Sequence, residues 1–251
     1  MTPNPNPVKT ARRYDTTGRR ERADRAQTHV LTVARELFLR DGYAATTVAA
    51  VAAAAGVSVE TIYKTFRGKP GLIRAIQRSG LAGAGPVPAP ERSDEMSAQN
   101  LAPHAILRHW ATLTTEVAPR VAPIILLVRS AAATDPDMGR LLVEINEERL
   151  QRMHHNASQL TNHGPLRGGM SIEQARDVMF AYTAPELYEI LVTHQQWPIE
   201  HYADFIYRGL VAELLALGCP DPFQSDCDRG DAQGGDAGLG QRGADDDQVG
   251  Q

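Results

Sequence analysis

Apolar positions between Thr46 and Lys69 fall into two short helical registers separated by a break. Val48, Val51, Ala52 and Ala55 recur at the three- and four-residue intervals of one buried helical face, which predicts a helix over about 47–55. Thr46 or Thr47 offers a side-chain oxygen to the orphan N–H groups at its start. Gly56 stands where a tight turn needs a backbone conformation other residues resist. Val57 is apolar, and Ser58 caps a second helix from about Val59 to Phe66. In that helix Ile62 faces inward, leaving Val59, Glu60, Tyr63 and Lys64 outside.

The flanks continue in helical register. Val30, Val33, Ala34, Leu37 and Phe38 form the buried stripe of a helix over about 22–40, and Asp41–Gly42 supplies its stop. A fourth helix starts at Lys69–Pro70, carries Leu72, Ile73 and Ile76 inward, and fades by Gly80. Residues 81–97 are Gly/Pro/Ala-rich and read as a linker. Helices resume over 98–218, with Pro103, Pro119 and Pro136 near expected helix starts. Asp135 caps a helix bearing Met138, Leu141, Leu142, Ile145 and Met153 on one face. After a loop at 162–169, a long helix over 171–196 kinks at Pro185. The last helix, 199–217, carries Tyr202, Ile206, Leu210, Leu214 and Leu217. No convincing strand pattern occurs, so the fold class is all-α: an N-terminal three-helix domain over 21–80 followed by a C-terminal helical bundle.

Two helices around a three- or four-residue turn containing glycine make a helix-turn-helix, whose second helix enters the DNA major groove. The segment from about Arg22 to Ile76 closely resembles the DNA-binding domain of the tetracycline-repressor (TetR) family of bacterial regulators. The resemblance rests on Phe38, Gly42–Tyr43, Thr46–Thr47, Ala54–Gly56–Val57–Ser58 and Tyr63, Phe66 and Lys69. Thr65 departs from it, since many members carry an aromatic residue there. The implied DNA-binding set is Thr47, Ser58, Val59, Glu60, Thr61, Tyr63, Lys64 and Lys69. Thr47, Thr61, Tyr63 and Lys69 are its phosphate contacts, hydroxyls and an ammonium near helix N-termini being suited to that role. Val59, Glu60 and Lys64 begin the outward face and suit base edges: a thymine methyl, cytosine and guanine respectively. Glu60 and Lys64 also stand four residues apart, the spacing of an ordinary helical ion pair.

Charge supports this reading once the chain is divided. The net charge of -4 argues against nucleic acid, yet residues 1–80 hold 14 Lys+Arg against 6 Asp+Glu, a net of +8. The remaining residues hold 12 against 24, a net of -12. A basic front on an acidic body is the electrostatic footprint of a domain that meets phosphates. Residues 1–20 form a Pro/Asn/Arg-rich basic arm, expected to be disordered, and 219–251 a Gly/Asp-rich acidic tail of the same kind.

The resemblance further implies a homodimer through the helices at about 171–196 and 199–217, a double-stranded DNA operator, and a small-molecule effector held in the C-terminal domain. Trp110, Arg129, Met153, Tyr182 and Glu186 are the candidate ligand contacts, though Met and aromatic residues at helical spacing are more often core. Repression is the commoner family outcome; control by a protein partner, or no effector at all, is the alternative that a long linker suggests. The chain shows no HExxH, phosphate-cradling glycine loop or nucleophile elbow, and His154 and His155 are adjacent rather than a turn apart. Catalytic residues, metal and cofactor are therefore not expected. Cys219 and Cys227 lie in the polar tail as incidental thiols. With 42% hydrophobic and 22% charged residues, and no apolar run suited to a leader or a membrane span, the expected location is the bacterial cytoplasm.

Overall fold

The computed structural model describes residues 17–99 and 101–216. All regular elements among them are helical, and Leu166 and Leu215 form an isolated antiparallel bridge. The order is α1 (Thr17–Ala45), α2 (Val48–Ala55), α3 (Val59–Phe66), α4 (Lys69–Ala82), α5 (Ala89–Ser97), α6 (Pro103–Ala132), α7 (Pro136–Thr161), α8 (Ile172–Tyr182), α9 (Pro185–Tyr188) and α10 (Ile199–Leu214). A 3-10 turn at Arg167–Gly169 precedes α8, and α9 runs on into a π-helical turn at Glu189–His194.

The boundaries of α2 and α3 follow from their caps. Thr47 accepts from the Ala50 N–H at 3.0 Å, and Ser58 from the Thr61 N–H at 3.1 Å. Between them Gly56 is left-handed (φ 67, ψ 30), the conformation a side chain at that turn would resist. Gly42 (φ 82, ψ 168) breaks α1 before its last turn, and the buried Thr46 hydroxyl donates back to the Gly42 carbonyl at 2.8 Å.

Four sequence expectations are corrected. First, α1 starts at Thr17, so residues 17–20 belong to a helix rather than to the basic arm. Extending an established helix costs far less than nucleating one, so the long stripe of α1 propagates backwards. The rest of the arm, and the acidic tail with its two cysteines, lie outside the described residues.

Second, the expected linker contains α5, which buries Ala89, Ser93, Met96 and Ser97. The turn before it is pinned by Glu116, which accepts from the Ala84 N–H and from Arg92, both at 2.6 Å. Propensity alone would not make a helix here; packing against α4, α6 and α7 does.

Third, Pro119 starts no helix: it and Pro123 lie inside the 30-residue α6. Pro123 has no N–H, so the Pro119 carbonyl lacks its helical donor. Arg35 of α1 supplies one instead, Nη2 donating at 3.2 Å. Fourth, Pro185 divides the long helix rather than kinking it, with Thr183 and Ala184 non-helical between α8 and α9.

By length and composition α6 also meets the requirement for a membrane span, with a mean hydropathy of 1.4 over its most apolar stretch. Here it is the central strut, packed by α1, α4, α5, α7, α9 and α10. Two hydrophobic cores meet along it. One joins Val30, Phe38, Val51, Ile62, Phe66, Leu72 and Ile76 to Val121, Ile124 and Val128 of α6 and to Met138 and Ile145 of α7. The other gathers Ile106, Leu107 and Trp110 of α6 with Leu160, Met179, Tyr202, Ile206 and Leu210. The first core does not stop at the domain boundary: the N-terminal helices and the body share it.

Candidate nucleic-acid interface

Inward anchoring of α3 determines what it presents outward. Ile62 and Phe66 are buried, so the opposite face is exposed: Val59 is 40% and Tyr63 55% accessible, and Glu60, Thr61 and Lys64 are open as well. Anchored on one side and open on the other, α3 presents these five side chains together to solvent. No ion pair joins Glu60 to Lys64 among the described residues, so both charges stand toward solvent. Thr61 is partly committed, its hydroxyl lying 2.8 Å from that of Ser58.

Two N-termini flank this face. Thr47 at the start of α2 and Ser58 at the start of α3 are exposed caps, each beside N–H groups suited to a phosphate. Lys69 opens α4 after Arg67 and Gly68, both at positive φ, have turned the chain. Its Nζ lies 4.0 Å from the Tyr43 ring centroid and donates to the Ala44 carbonyl at 3.4 Å. Burial pushes its pKa below the usual lysine value, although Asp135 opposes that shift.

Gly71 lets α4 approach so closely: a Cβ there would overlap the Phe66 carbonyl. All eight sequence-derived DNA residues thus lie on α2, α3 and the start of α4, on exposed or half-buried positions.

The same region is wired into the body. The Tyr43 hydroxyl faces the Asp135 carboxylate; burial, and then that carboxylate, raise the tyrosine pKa. Asp135 is also the N-cap of α7, accepting from the Asp137 N–H at 2.8 Å. Arg74 of α4 reaches Glu148 of α7 at 2.5 Å, with Glu144 at 3.6 Å.

A cavity of about 280 Å³ lies where the two cores meet, bounded by α4, α5, α6, α7 and the α8–α9 break. Its wall is mostly apolar. Of the five candidate ligand contacts, Trp110 and Met153 line it. Arg129 and Glu186 do not: they pair with each other across α6 and α9. Tyr182 is also absent, its ring lying against Gly209 and 6.0 Å from Phe205. Sequence reading missed Gln77, Ser93, Arg149 and Asn156, which do line it. Arg149, Met153 and Asn156 share the helical spacing of Trp110's partner face, the one signal by which they were findable.

An exposed helix on a three-helix head, joined to an all-helical body with an internal cavity, defines a DNA-binding regulator of the helix-turn-helix class. Residues 30–76 match the family described as bacterial regulatory proteins, tetR family. Those residues carry that family's DNA-binding domain, and the chain is a DNA-binding transcriptional regulator.

Solved structures share the whole fold at low identity. NalD of Pseudomonas aeruginosa, the secondary repressor of the MexAB-OprM multidrug efflux pump, is 20% identical over 78% of this chain and 98% of its own, with a TM-score of 0.59. The fatty acid degradation regulator FadR from Bacillus halodurans is 15% identical over 74% and 94%, with a TM-score of 0.60. A transcriptional regulator from Saccharomonospora viridis in complex with choline is 15% identical over 76% and 98%, with a TM-score of 0.57. No curated protein matches the sequence.

Proposed function

We propose that the protein is a repressor which binds a pseudo-palindromic operator as a homodimer and is released when a small molecule fills the cavity. The observation that carries this reading is the position of the cavity. Its wall includes Gln77 and Leu81 of α4, the helix that leads directly from α3 into the body. A ligand that prefers one placement of α4 over another therefore biases the DNA-binding face, which is all that linkage requires. NalD is a repressor and FadR a regulator on the same fold, and the Saccharomonospora viridis protein of that fold is in complex with choline.

Dimerisation is argued from symmetry and surface. One α3 offers a single short reading element, whereas two on a twofold axis read half-sites about one helical turn, ~34–36 Å, apart. Ile190 is 48% exposed, and Leu187, Leu191, Phe205 and Val211 are only half-buried, on the segments α9 to α10 expected to meet a twin. Phosphate contact falls to Thr47, Ser58, Thr61, Tyr63 and Lys69, and base reading to Val59, Glu60 and Lys64. The alternative of control by a protein partner drew on a free linker, and the packing of α5 removes that motive.

The test is fluorescence anisotropy of the purified protein on its own upstream DNA and on scrambled DNA across a salt series. Tight, salt-dependent binding that distinguishes the two supports the reading. Equal and weak binding to both, at every protein concentration, rejects it.

A further inference from the structure

One charge on the cavity wall meets no opposite charge: the Arg149 guanidinium lies over the Phe180 ring at 4.2 Å and bonds only neutral acceptors. Three ionisable side chains of α7 line the cavity: Glu148, Arg149 and Arg152. Arg74 engages Glu148, and Asp94 engages Arg152 at 2.7 Å. Arg149 has no carboxylate partner among the described residues. Its N–H groups go to neutral acceptors: Asn146 Oδ1 at 3.1 Å, the Thr183 carbonyl at 3.2 Å and the Phe180 carbonyl at 3.4 Å. Burial, with the Arg129 guanidinium adding to it, pushes its pKa down to about 10. An enclosed cation is costly unless an anion compensates it.

Four further polar atoms on this wall make no hydrogen bond: Gln77 Oε1, Ser93 Oγ, Trp110 Nε1 and Asn156 Oδ1. Their side chains are each more than nine-tenths buried, at 1%, 4%, 4% and 6% accessible. Buried polar atoms are ordinarily satisfied, so orphans around one cavity indicate a missing partner. Trp110 Nε1 and Ser93 Oγ can donate to it, whereas Gln77 Oε1 and Asn156 Oδ1 only accept, as from a ligand hydroxyl or a water. The lone carboxylate of the wall, Glu148, is already held by arginine, so an ammonium ligand would find no anion of its own. At about 280 Å³ the space lies just below the range of roughly 300–1,000 Å³ for drug-sized sites, so the occupant is small.

We propose that the cavity takes an amphipathic acid: a compact apolar body ending in a carboxylate that pairs with Arg149 and accepts from the unpartnered Trp110 Nε1 and Ser93 Oγ. This rests on reading the cavity as the effector site. The sign of the head group comes from Arg149.

The test uses octanoate, decanoate and phenylbutyrate, each against its alcohol and its amine of equal length. Thermal stabilisation and release from upstream DNA are read in parallel. The carboxylates are expected to bind roughly tenfold to a hundredfold more tightly than the alcohols, the worth of a charge-assisted hydrogen bond, with the amines weakest. Arg149→Lys should keep that order and Arg149→Gln should erase it. Because Arg149 also holds the end of α8, the wild-type series decides if the glutamine variant fails to fold.

Equal affinity for acids, alcohols and amines, or no stabilisation by any acid, overturns the proposal. If alcohols release DNA as well as acids, control by a small molecule survives and the anionic head falls. If acids stabilise the protein but leave DNA bound, the anionic site survives and release by its ligand falls.

Discussion

Lys64 and Lys69, five residues apart, stand in different surroundings. Lys64 projects from the exposed face of α3, whereas Lys69 leans on the Tyr43 ring at the mouth of α4. Lys64→Ala is expected to change which sequences are preferred, and Lys69→Ala to weaken all of them and lower the salt slope by about one. Anisotropy on a panel of operator variants separates the two; identical losses across the panel would sink the division. A different constraint acts at Gly71, where any Cβ meets the Phe66 carbonyl. Gly71→Ala should cost about 1–3 kcal/mol, the usual penalty of overpacking, read as a lowered Tm. At this scale the sequence was legible where a residue acts on its immediate neighbours, as Ser58 and Gly56 do. It was not legible at Arg149, whose meaning depends on carbonyls more than thirty positions away.

Among the elements, α6 carries two prolines that local rules assign to a helix start. The cost of a proline inside a helix, about 3 kcal/mol, is offset here because α1 returns a donor to the orphaned carbonyl. Arg35→Ala should therefore destabilise by about 1–3 kcal/mol, the penalty of an unsatisfied buried acceptor. In a Pro123→Ala background, where the backbone donor is restored, the same change should cost much less. A double-mutant cycle by chemical denaturation measures the difference, and additive effects would contradict the account. Helices α2, α3, α4 and α7 were readable because caps and stripes are local. Helix α5 was not, since its stability comes from α4, α6 and α7. The same limit explains why Trp110 and Met153 were found while Arg129, Tyr182 and Glu186 were misplaced: five segments must meet before any cavity exists.

For the molecule as a whole, the junction at Asp135 predicts an acid-sensitive head. Burial favours its protonated form, yet the N–H groups of Met138 and Asp137, the Tyr43 hydroxyl and the Lys69 ammonium together hold its pKa below the ordinary 3.8. A lowered carboxylate pKa gives stability that is complete above about pH 4 and drains as pH falls through the lowered value. Asp135→Asn should flatten that acid limb in thermal melts between pH 2 and 5; an unchanged limb would assign it to other carboxylates.

Assembly is tested at Ile190, where Ile190→Glu should yield monomers by sedimentation with little change in Tm and a loss of operator binding. A persistent dimer would move the interface elsewhere.

Gly80, finally, brings α4 against Val121 of α6 with no room for a side chain. That contact makes α4 a rocker with its fulcrum near one end. Lys69 lies eleven residues away, about 16 Å along the axis, so a tilt of about 10° at Gly80 sweeps the DNA end by about 3 Å. That travel rivals the length of a hydrogen bond, so on the proposed reading a ligand that nudges the short arm would disengage the long one.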